Sequence, residues 1–169
     1  NDATVVLSEC ISGTEAAFVA LMNRQGREMG LANSNWGNPV GWPDNGVTFT
    51  TARDLATLAA STIREYPELY REYYGQREFT WGRTMGSNQA ITQGNRNPLL
   101  GRVAGADGLK TGHTAEAGYG FTGSADQNGR RIVVGDLVPV GATVRLQVRD
   151  AEAADADLRA LLAGYRRDT

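Results

Sequence analysis

The stretch GADGLKTGHTAEAGYGFTG, residues 105–123, decides the fold because it holds two short motifs that belong to different folds. Gly118-Tyr119-Gly120-Phe121-Thr122-Gly123 fits the pattern G-x-G-x-x-G, which in a dinucleotide-binding fold joins a strand to a helix. Lys110-Thr111-Gly112 suits the exposed edge of a sheet instead. There a cation and a hydroxyl can meet a carboxylate, and a residue without a side chain lets a bound backbone lie against the strand.

The residues that follow the glycine pattern exclude the dinucleotide-binding fold. Ser124-Ala125-Asp126 lead into Asn128-Gly129, which is a strong signal for a β-hairpin turn and not for a helix. About twenty positions further on, where that fold needs an acidic residue, the chain has Gly141-Ala142-Thr143. We therefore predict a strand over 118–125, with small residues packed closely against their neighbours, and a second strand over 131–138.

The sequence before this stretch is mostly helical. Asp2 begins a helix predicted to run through Ser12, Thr14 caps a second helix that stops at Gly30, and Thr51 opens a third. The remaining predictions are a long ordered loop over 31–50, a further helical turn or two over 68–74, a strand over 78–81, a polar loop or hairpin over 87–102 and an Ala-rich helix over 150–166. The alternating residues of 138–148 fit either an extended strand region or an early start of that last helix.

Helices, then strands, then a closing helix predict a mixed α/β or α+β domain whose sheet is at least partly antiparallel. We predict one domain in two portions. Residues 1–75 form a mostly helical portion, and residues 76–169 form the strands that carry the Lys110-Thr111-Gly112 edge together with the terminal helix.

Composition excludes several classes of function. The formal net charge is −2, so no basic face for nucleic acid is expected. No apolar run approaches the roughly 20 residues of a membrane segment. One His and one Cys do not make a zinc site, and we expect no metal and no cofactor. Cys10 is expected to be a small buried residue on a helix. Lys110 is the only lysine among 17 basic residues, which singles it out for a role.

Lys110-Thr111-Gly112 is also the K-T-G motif of penicillin-recognising serine enzymes, and its surroundings make the resemblance specific. The segment 107–114, DGLKTGHT, followed by Ala117-Gly118-Tyr119, resembles the low-molecular-weight penicillin-binding proteins, which are serine D-alanyl-D-alanine carboxypeptidases. The likeness extends over residues 1 to about 138. Other segments similar to that family, in the same order, are Asn1-Asp2-Ala3, 15–23, 51–55, 66–69, 78–81 and 95–97.

The resemblance implies the β-lactamase/transpeptidase-like fold, in which a helical subdomain packs on an antiparallel sheet. It also implies an acyl-serine mechanism: the Ser of an S-x-x-K motif attacks the carbonyl between two D-alanines of a peptidoglycan stem peptide, and the Lys of that motif is the base. β-Lactam antibiotics would acylate the same serine. The expected location is periplasmic or otherwise extracytoplasmic, with any membrane attachment made by regions outside these residues.

The resemblance also implies roles for individual residues. Lys110 and Thr111 would contact the terminal carboxylate of the substrate, and Arg96 matches an arginine that helps to hold the same carboxylate. The backbone N–H of His113 matches one donor of the oxyanion hole. Gly112 would keep the edge of the sheet open for the substrate.

The chain departs from the family pattern at the catalytic serine. S-x-x-K needs a lysine three positions after a serine, and the only lysine, Lys110, stands three positions after Asp107. Asn1 matches the Asn of an S-x-N motif, which contacts the substrate and the catalytic Lys, but the first two residues of that motif are not in the sequence. The chain also opens without an initiator Met, as a processed or truncated product does.

We therefore expect the C-terminal portion of a catalytic domain whose S-x-x-K motif lies upstream of Asn1. The N-terminal portion of the same domain would be its partner, and the chain alone would be inactive. Two alternatives stay open at this point. One is a β-lactamase of the same fold, and the other is a non-catalytic module that binds peptidoglycan or a protein partner.

Overall fold

A computed structural model describes residues 2–127 and 130–137 of the 169-residue chain. Within these ranges four helices precede five strands. The helices are α1 (Asp2–Ser12), α2 (Glu15–Glu28), α3 (Ala52–Glu65) and α4 (Pro67–Tyr73). The strands are β1 (Glu78–Arg83), β2 (Ala90–Gly94), β3 (Ala106–Thr114), β4 (Gly118–Gln127) and β5 (Arg130–Leu137). The predictions for Asn1, for 138–148 and for the helix over 150–166 lie outside the described residues.

The helix boundaries follow from local capping. Thr14 Oγ1 accepts a hydrogen bond from the Ala17 amide (3.1 Å), and Thr51 Oγ1 accepts one from the Asp54 amide (3.1 Å). Each side chain satisfies a backbone donor that has no partner within its helix. Gly30, just beyond the end of α2, has φ +77°, the left-handed conformation that ends helices. These three predictions are confirmed.

The strands form two antiparallel sheets. β1 pairs with β2, so the predicted loop or hairpin over 87–102 contains one strand, β2, of a hairpin whose other strand is β1, and its remaining residues, 95–102, form a loop. The second sheet has the order β3-β4-β5, so β3 is an edge strand of the described sheet. β4 and β5 confirm the two predicted strands on either side of the Asn128-Gly129 signal, and a strand–strand connection replaces the strand–helix connection that a dinucleotide site needs.

Close packing, predicted for the small residues of β4, is true of only part of the strand. A Cβ added at Gly123 would run into the ring of Phe121. Gly118, by contrast, has φ +68°, so its backbone conformation and not its packing favours glycine. Gly120 meets neither condition, because a Cβ there would contact nothing within 4 Å in the described part of the chain.

The apolar core places the sheet against α3 and α4. The centre of this core is formed by the buried residues Ala59, Tyr70 and Leu109, and Ile63, Tyr74 and Val133 pack around them. Two helices from the first half of the chain and two strands from the second half thus share one core. This core lies directly behind the edge strand β3, because Leu109 immediately precedes Lys110.

Cys10 lies on α1 as expected, but its side chain is exposed, so the expectation of burial is wrong. The reason is that α1 packs through a narrow face, with Ser8 as its buried residue, and leaves apolar side chains such as Ile11 mostly exposed. Among the described helices, none is by itself long and apolar enough to cross a membrane. α1 and α2 meet the length and composition criteria only as a pair, and that pair is bent by 83°.

The loop over 31–50 is ordered by side-chain hydrogen bonds to its backbone. Asp54, buried at the start of α3, accepts hydrogen bonds from the Asn33 amide (2.9 Å) and the Ser34 hydroxyl (2.7 Å). Asn23 and the backbone of Trp36 exchange two hydrogen bonds, at 2.9 and 2.7 Å. The predicted ordered loop is therefore held from both α2 and α3.

Asp44 holds the outer part of this loop, and its titration gives a testable prediction. Hydrogen bonds from the Thr48 hydroxyl and amide keep the pKa of the Asp44 carboxyl below its ordinary value of 3.8. A folded-state pKa below the unfolded one stabilises the loop above pH 3.8, and this contribution is lost as the pH falls through 3.8 and then through the folded value. We expect amide exchange at Thr48 to accelerate in acid, once intrinsic exchange is corrected for.

The Asp44→Asn variant separates this effect from general acid unfolding. It should open the loop at neutral pH and remove the extra acceleration below pH 4 that the wild type shows. Glu9→Gln, on an exposed position of α1, is the control and should behave as the wild type does. If Thr48 exchange in Asp44→Asn still accelerated below pH 4 as it does in the wild type, Asp44 would not be the group whose titration opens the loop.

Candidate active site

The central feature of the site is the second half of β3, which carries Lys110, Thr111 and Gly112. Lys110 is exposed, Thr111 is half-buried, and the Lys110 ammonium donates a hydrogen bond to the Thr111 carbonyl oxygen. Within the described ranges Lys110 forms no ion pair. The single lysine therefore presents a positive charge at the sheet edge that an anionic ligand can neutralise.

Gly112 and Gly120 face each other across β3 and β4. A Cβ on either one would meet no described atom within 4 Å, and neither has a positive φ. Neither packing nor backbone conformation within the described residues therefore requires glycine at these positions. The pair leaves a bare strip of backbone beside Lys110, against which an extended ligand can lie.

Arg96 lies on a loop that the two flanking asparagines fix. Asn95 Nδ2 donates to the Gln76 carbonyl (2.9 Å), and the buried Asn97 donates through Nδ2 to the Gly108 carbonyl (2.7 Å). The second bond ties the loop to β3 two residues before Lys110. Arg96 itself is exposed and, in the part of the chain that the structure describes, has no ion-pair partner. Two cationic side chains thus come from segments that are joined at Gly108.

His113 lies opposite Tyr119 in the pairing of β3 with β4, and their ring centroids are 4.1 Å apart. Its exposed imidazole packs on the tyrosine ring, and this contact accounts for the position of the side chain. Because β3 is an edge strand of the described sheet, alternate backbone amides along it have no strand partner there. The role of the His113 amide as an oxyanion donor stays a prediction. So does the role of Asn1, which lies outside the described residues.

Sequence reasoning assigned no role to three polar residues that meet just behind the site. Asp107 Oδ1 accepts hydrogen bonds from the Tyr70 hydroxyl (2.9 Å) and the Ser124 hydroxyl (2.8 Å), and the two hydroxyl oxygens also lie in contact with each other. Tyr70 and Ser124 are each 1% exposed. The one sequence signal was the position of Asp107 directly before Gly-Leu-Lys-Thr-Gly. Its partners are 37 and 17 residues away along the chain.

This arrangement can bind an extended ligand that ends in a carboxylate. The cation of Lys110, the hydroxyl of Thr111 and the bare strip at Gly112 suit a backbone with a negative terminus. Among residues 2–127 and 130–137, no group of three or more His, Cys, Asp or Glu side chains is placed to hold a metal ion. The sequence contains no serine three positions before a lysine, because the residue at that spacing before its single lysine, Lys110, is Asp107.

Comparison with known proteins gives the same assignment over most of the chain. The family described as D-alanyl-D-alanine carboxypeptidase matches residues 1–138. The D-alanyl-D-alanine carboxypeptidase DacA of Haemophilus influenzae is 41% identical over 135 residues, which are 79% of this chain and 32% of that protein. DacC of Escherichia coli is 36% identical over 154 residues, which are 90% of this chain and 36% of that protein.

Solved structures agree with the sequence relatives. Penicillin binding protein 5 from Haemophilus influenzae superposes with a TM-score of 0.72 at 40% identity, over 81% of this chain and 38% of that one. Penicillin-binding protein D2 from Listeria monocytogenes, solved in an ampicillin-bound form, gives a TM-score of 0.68 at 31% identity, over 80% of this chain and 53% of that one. These likenesses confirm the predicted α+β transpeptidase-like fold.

The chain spans about a third of the length of the curated relatives it matches, between 31% and 36% for the first seven of them. The matched region nevertheless includes every predicted site residue, from Asn1 to His113. The family match covers four fifths of the sequence, and both relatives exceed 35% identity. The chain therefore belongs to the D-alanyl-D-alanine carboxypeptidase family.

Proposed function

We propose that this chain supplies the substrate-binding edge and part of the oxyanion hole of a serine D-alanyl-D-alanine carboxypeptidase that trims peptidoglycan stem peptides. The observation that carries the proposal is the exposed Lys110, without an ion-pair partner among the described residues, beside the bare Gly112 on an edge strand. The family match supports a carboxypeptidase over a β-lactamase. The exposed cations also favour a ligand-binding edge over a purely structural strand.

In the proposed mechanism, Lys110 and Thr111 bind the terminal carboxylate of the D-alanyl-D-alanine peptide, and Arg96 contributes a second cation. The substrate backbone lies along β3 over Gly112. The His113 amide donates to the oxygen that becomes negative when the serine attacks, an interaction worth roughly 2.7–4 kcal/mol in the transition state. Asn1 contacts the substrate and the lysine of the S-x-x-K motif.

The nucleophilic Ser and the basic Lys would come from an S-x-x-K segment that residues 1–169 do not contain. In this proposal, residues 1–75 form part of the helical subdomain, and residues 76–169 supply the strands and a terminal helix. Because peptidoglycan lies outside the cytoplasmic membrane, the proposed activity implies that the protein acts there. β-Lactams would acylate the same serine, which the ampicillin-bound relative supports.

Reconstitution tests the proposal. The 169-residue chain is co-expressed with, or fused to, the segment of the Haemophilus influenzae relative that precedes its match to this chain, where the proposal expects S-x-x-K. We expect fluorescent penicillin to label the joined protein in a long-lived acyl-enzyme and a D-alanyl-D-alanine peptide to release D-alanine. The chain alone and the added segment alone should do neither.

Three outcomes would contradict the proposal. Turnover by the 169-residue chain alone would show that it does not depend on an external serine. Rapid penicillin hydrolysis by the joined protein would favour a β-lactamase. A folded, joined protein that neither labels nor releases D-alanine would favour a non-catalytic binding module. Circular dichroism before the assay establishes that the joined protein is folded.

A further inference from the structure

The buried polar contact between Tyr70, Asp107 and Ser124 joins three parts of the fold at one oxygen atom. Tyr70 comes from α4, Asp107 from β3 and Ser124 from β4, and Asp107 Oδ1 accepts from both hydroxyls. Tyr70 and Ser124 are almost fully buried, so bulk water does not replace a hydrogen bond that either hydroxyl loses. We refer to Tyr70, Asp107 and Ser124 as the buried cluster.

The buried cluster lies at an irregularity in the pairing of β3 with β4. Ala106 pairs with Ala125 and Gly108 pairs with Ser124, so Asp107 is an extra residue on β3. A bulge of this kind redirects the strand that carries it and is common next to active sites. The hydrogen bonds of Asp107 hold the extra residue in place, and so fix where the regular pairing of β3 restarts.

The next residue, Gly108, is confined on two sides. A Cβ at this position would run into the Tyr70 hydroxyl and ring, so the strand backbone lies directly against Tyr70. The Gly108 carbonyl accepts the hydrogen bond from the buried Asn97, which belongs to the Arg96 loop. The position of β3 is therefore set from α4 through Tyr70 and from the Arg96 loop through Asn97.

The pairing register of β3 with β4 links the position of Gly108 to the position of Lys110. Gly108 pairs with Ser124 and Lys110 pairs with Thr122, so the register places Lys110 next to a neighbour of the buried cluster on β4. Any shift of β3 at the cluster therefore changes the partner, and with it the position, of Lys110. A slip of one residue at the bulge would turn Lys110 to the opposite face.

We propose that Tyr70, Asp107 and Ser124 are positioning residues that set the register and placement of β3 and, through it, of Lys110. The role in catalysis rests on the proposed function, whereas the placement of β3 does not. Tyr70→Phe and Ser124→Ala each remove one donor to Asp107 and keep most of the packing. Tyr74→Phe is a matched control, because Tyr74 stacks on Tyr70 at a centroid distance of 5.2 Å, and among the described residues its hydroxyl makes no hydrogen bond to Asp107.

The first measurement is amide exchange in the 169-residue chain. We expect exchange of the Leu109 to Gly112 amides to rise about tenfold in Tyr70→Phe and in Ser124→Ala, while amides of α2 keep their wild-type rates. Tyr74→Phe should leave both regions unchanged. Unchanged exchange in β3, or an equal rise in Tyr74→Phe, would overturn the proposal whether or not the protein is a carboxypeptidase.

The second measurement is penicillin acylation of the joined protein in a double-mutant cycle. We expect Tyr70→Phe to slow acylation about tenfold when Lys110 is present and to have little further effect in a Lys110→Ala background, because the two changes act through one interaction. General destabilisation would slow both backgrounds equally and would overturn the positioning role. If the wild-type joined protein is not acylated, the proposed function fails, and the exchange result alone decides on the buried cluster.

Discussion

Lys110→Ala should slow acylation of the joined protein by labelled penicillin about 100-fold, which corresponds to a loss of about 2.7 kcal/mol at 1.36 kcal/mol per tenfold. The physical reason is that a ligand carboxylate bound at the edge of β3 would lose its charge-assisted partner, and truncating one member of a hydrogen-bonded charge pair that the bound ligand buries costs about 2–5 kcal/mol. The folded state should be little affected. Lys110 is exposed and, among described residues, has no ion-pair partner to lose.

Arg102→Ala is the matched control for Lys110→Ala. Arg102 is also exposed and lies on the connection that leads to β3, so its loss changes the net charge equally without changing the K-T-G edge. We expect a less than twofold change in acylation and an unchanged melting temperature, since general steering by net charge is screened at physiological salt. If the Lys110→Ala protein were acylated at a near-normal rate, with Arg102→Ala as reference, Lys110 would not be a ligand-binding residue.

Sequence predicted those parts of the fold that neighbouring residues determine. Thr14 and Thr51 accept hydrogen bonds from amides three residues further on, so the information for each helix start lies within one turn. The strands β4 and β5 follow from alternation and from the Asn-Gly signal between them. The K-T-G edge was found because a short motif carries its own cation, hydroxyl and open glycine.

Sequence did not predict the contacts that depend on distant residues. Tyr70 and Ser124 are 54 positions apart, and nothing in either neighbourhood indicates that both bond to Asp107. The sequence marks Asn97 only as part of a segment similar to the family, yet it is the residue that ties the Arg96 loop to Gly108. Burial of Cys10 was predicted from residue type alone, and it failed because burial depends on which face of α1 packs.

The glycines near the site show why residue type is a weak guide until the surroundings are known. Gly108 is excluded from carrying a side chain by Tyr70, and Gly123 by Phe121. Gly112 has open space and an ordinary backbone conformation. A glycine that the fold requires and a glycine that a ligand requires look alike in sequence. They differ in what a substitution does to stability, and this difference makes Gly112 testable.

Gly112→Val should leave the chain folded and slow penicillin acylation of the joined protein on the order of 100-fold. A Cβ added at this position meets no described atom within 4 Å, and valine favours strands, so the melting temperature should stay the same or rise. The bulk instead occupies the bare strip against which a ligand backbone would lie. Loss of acylation without loss of stability would locate the ligand over Gly112.

Two further variants complete the test. Gly94→Val, at another open strand glycine but on β2, should change neither stability nor acylation. Gly108→Val should lower the melting temperature strongly, because its side chain would overlap Tyr70. Normal acylation by a folded Gly112→Val protein would mean that the ligand does not cross β3 at this position. The ligand would then lie elsewhere while its carboxylate still met Lys110. A ligand lying along β3 would no longer explain why the motif ends in glycine.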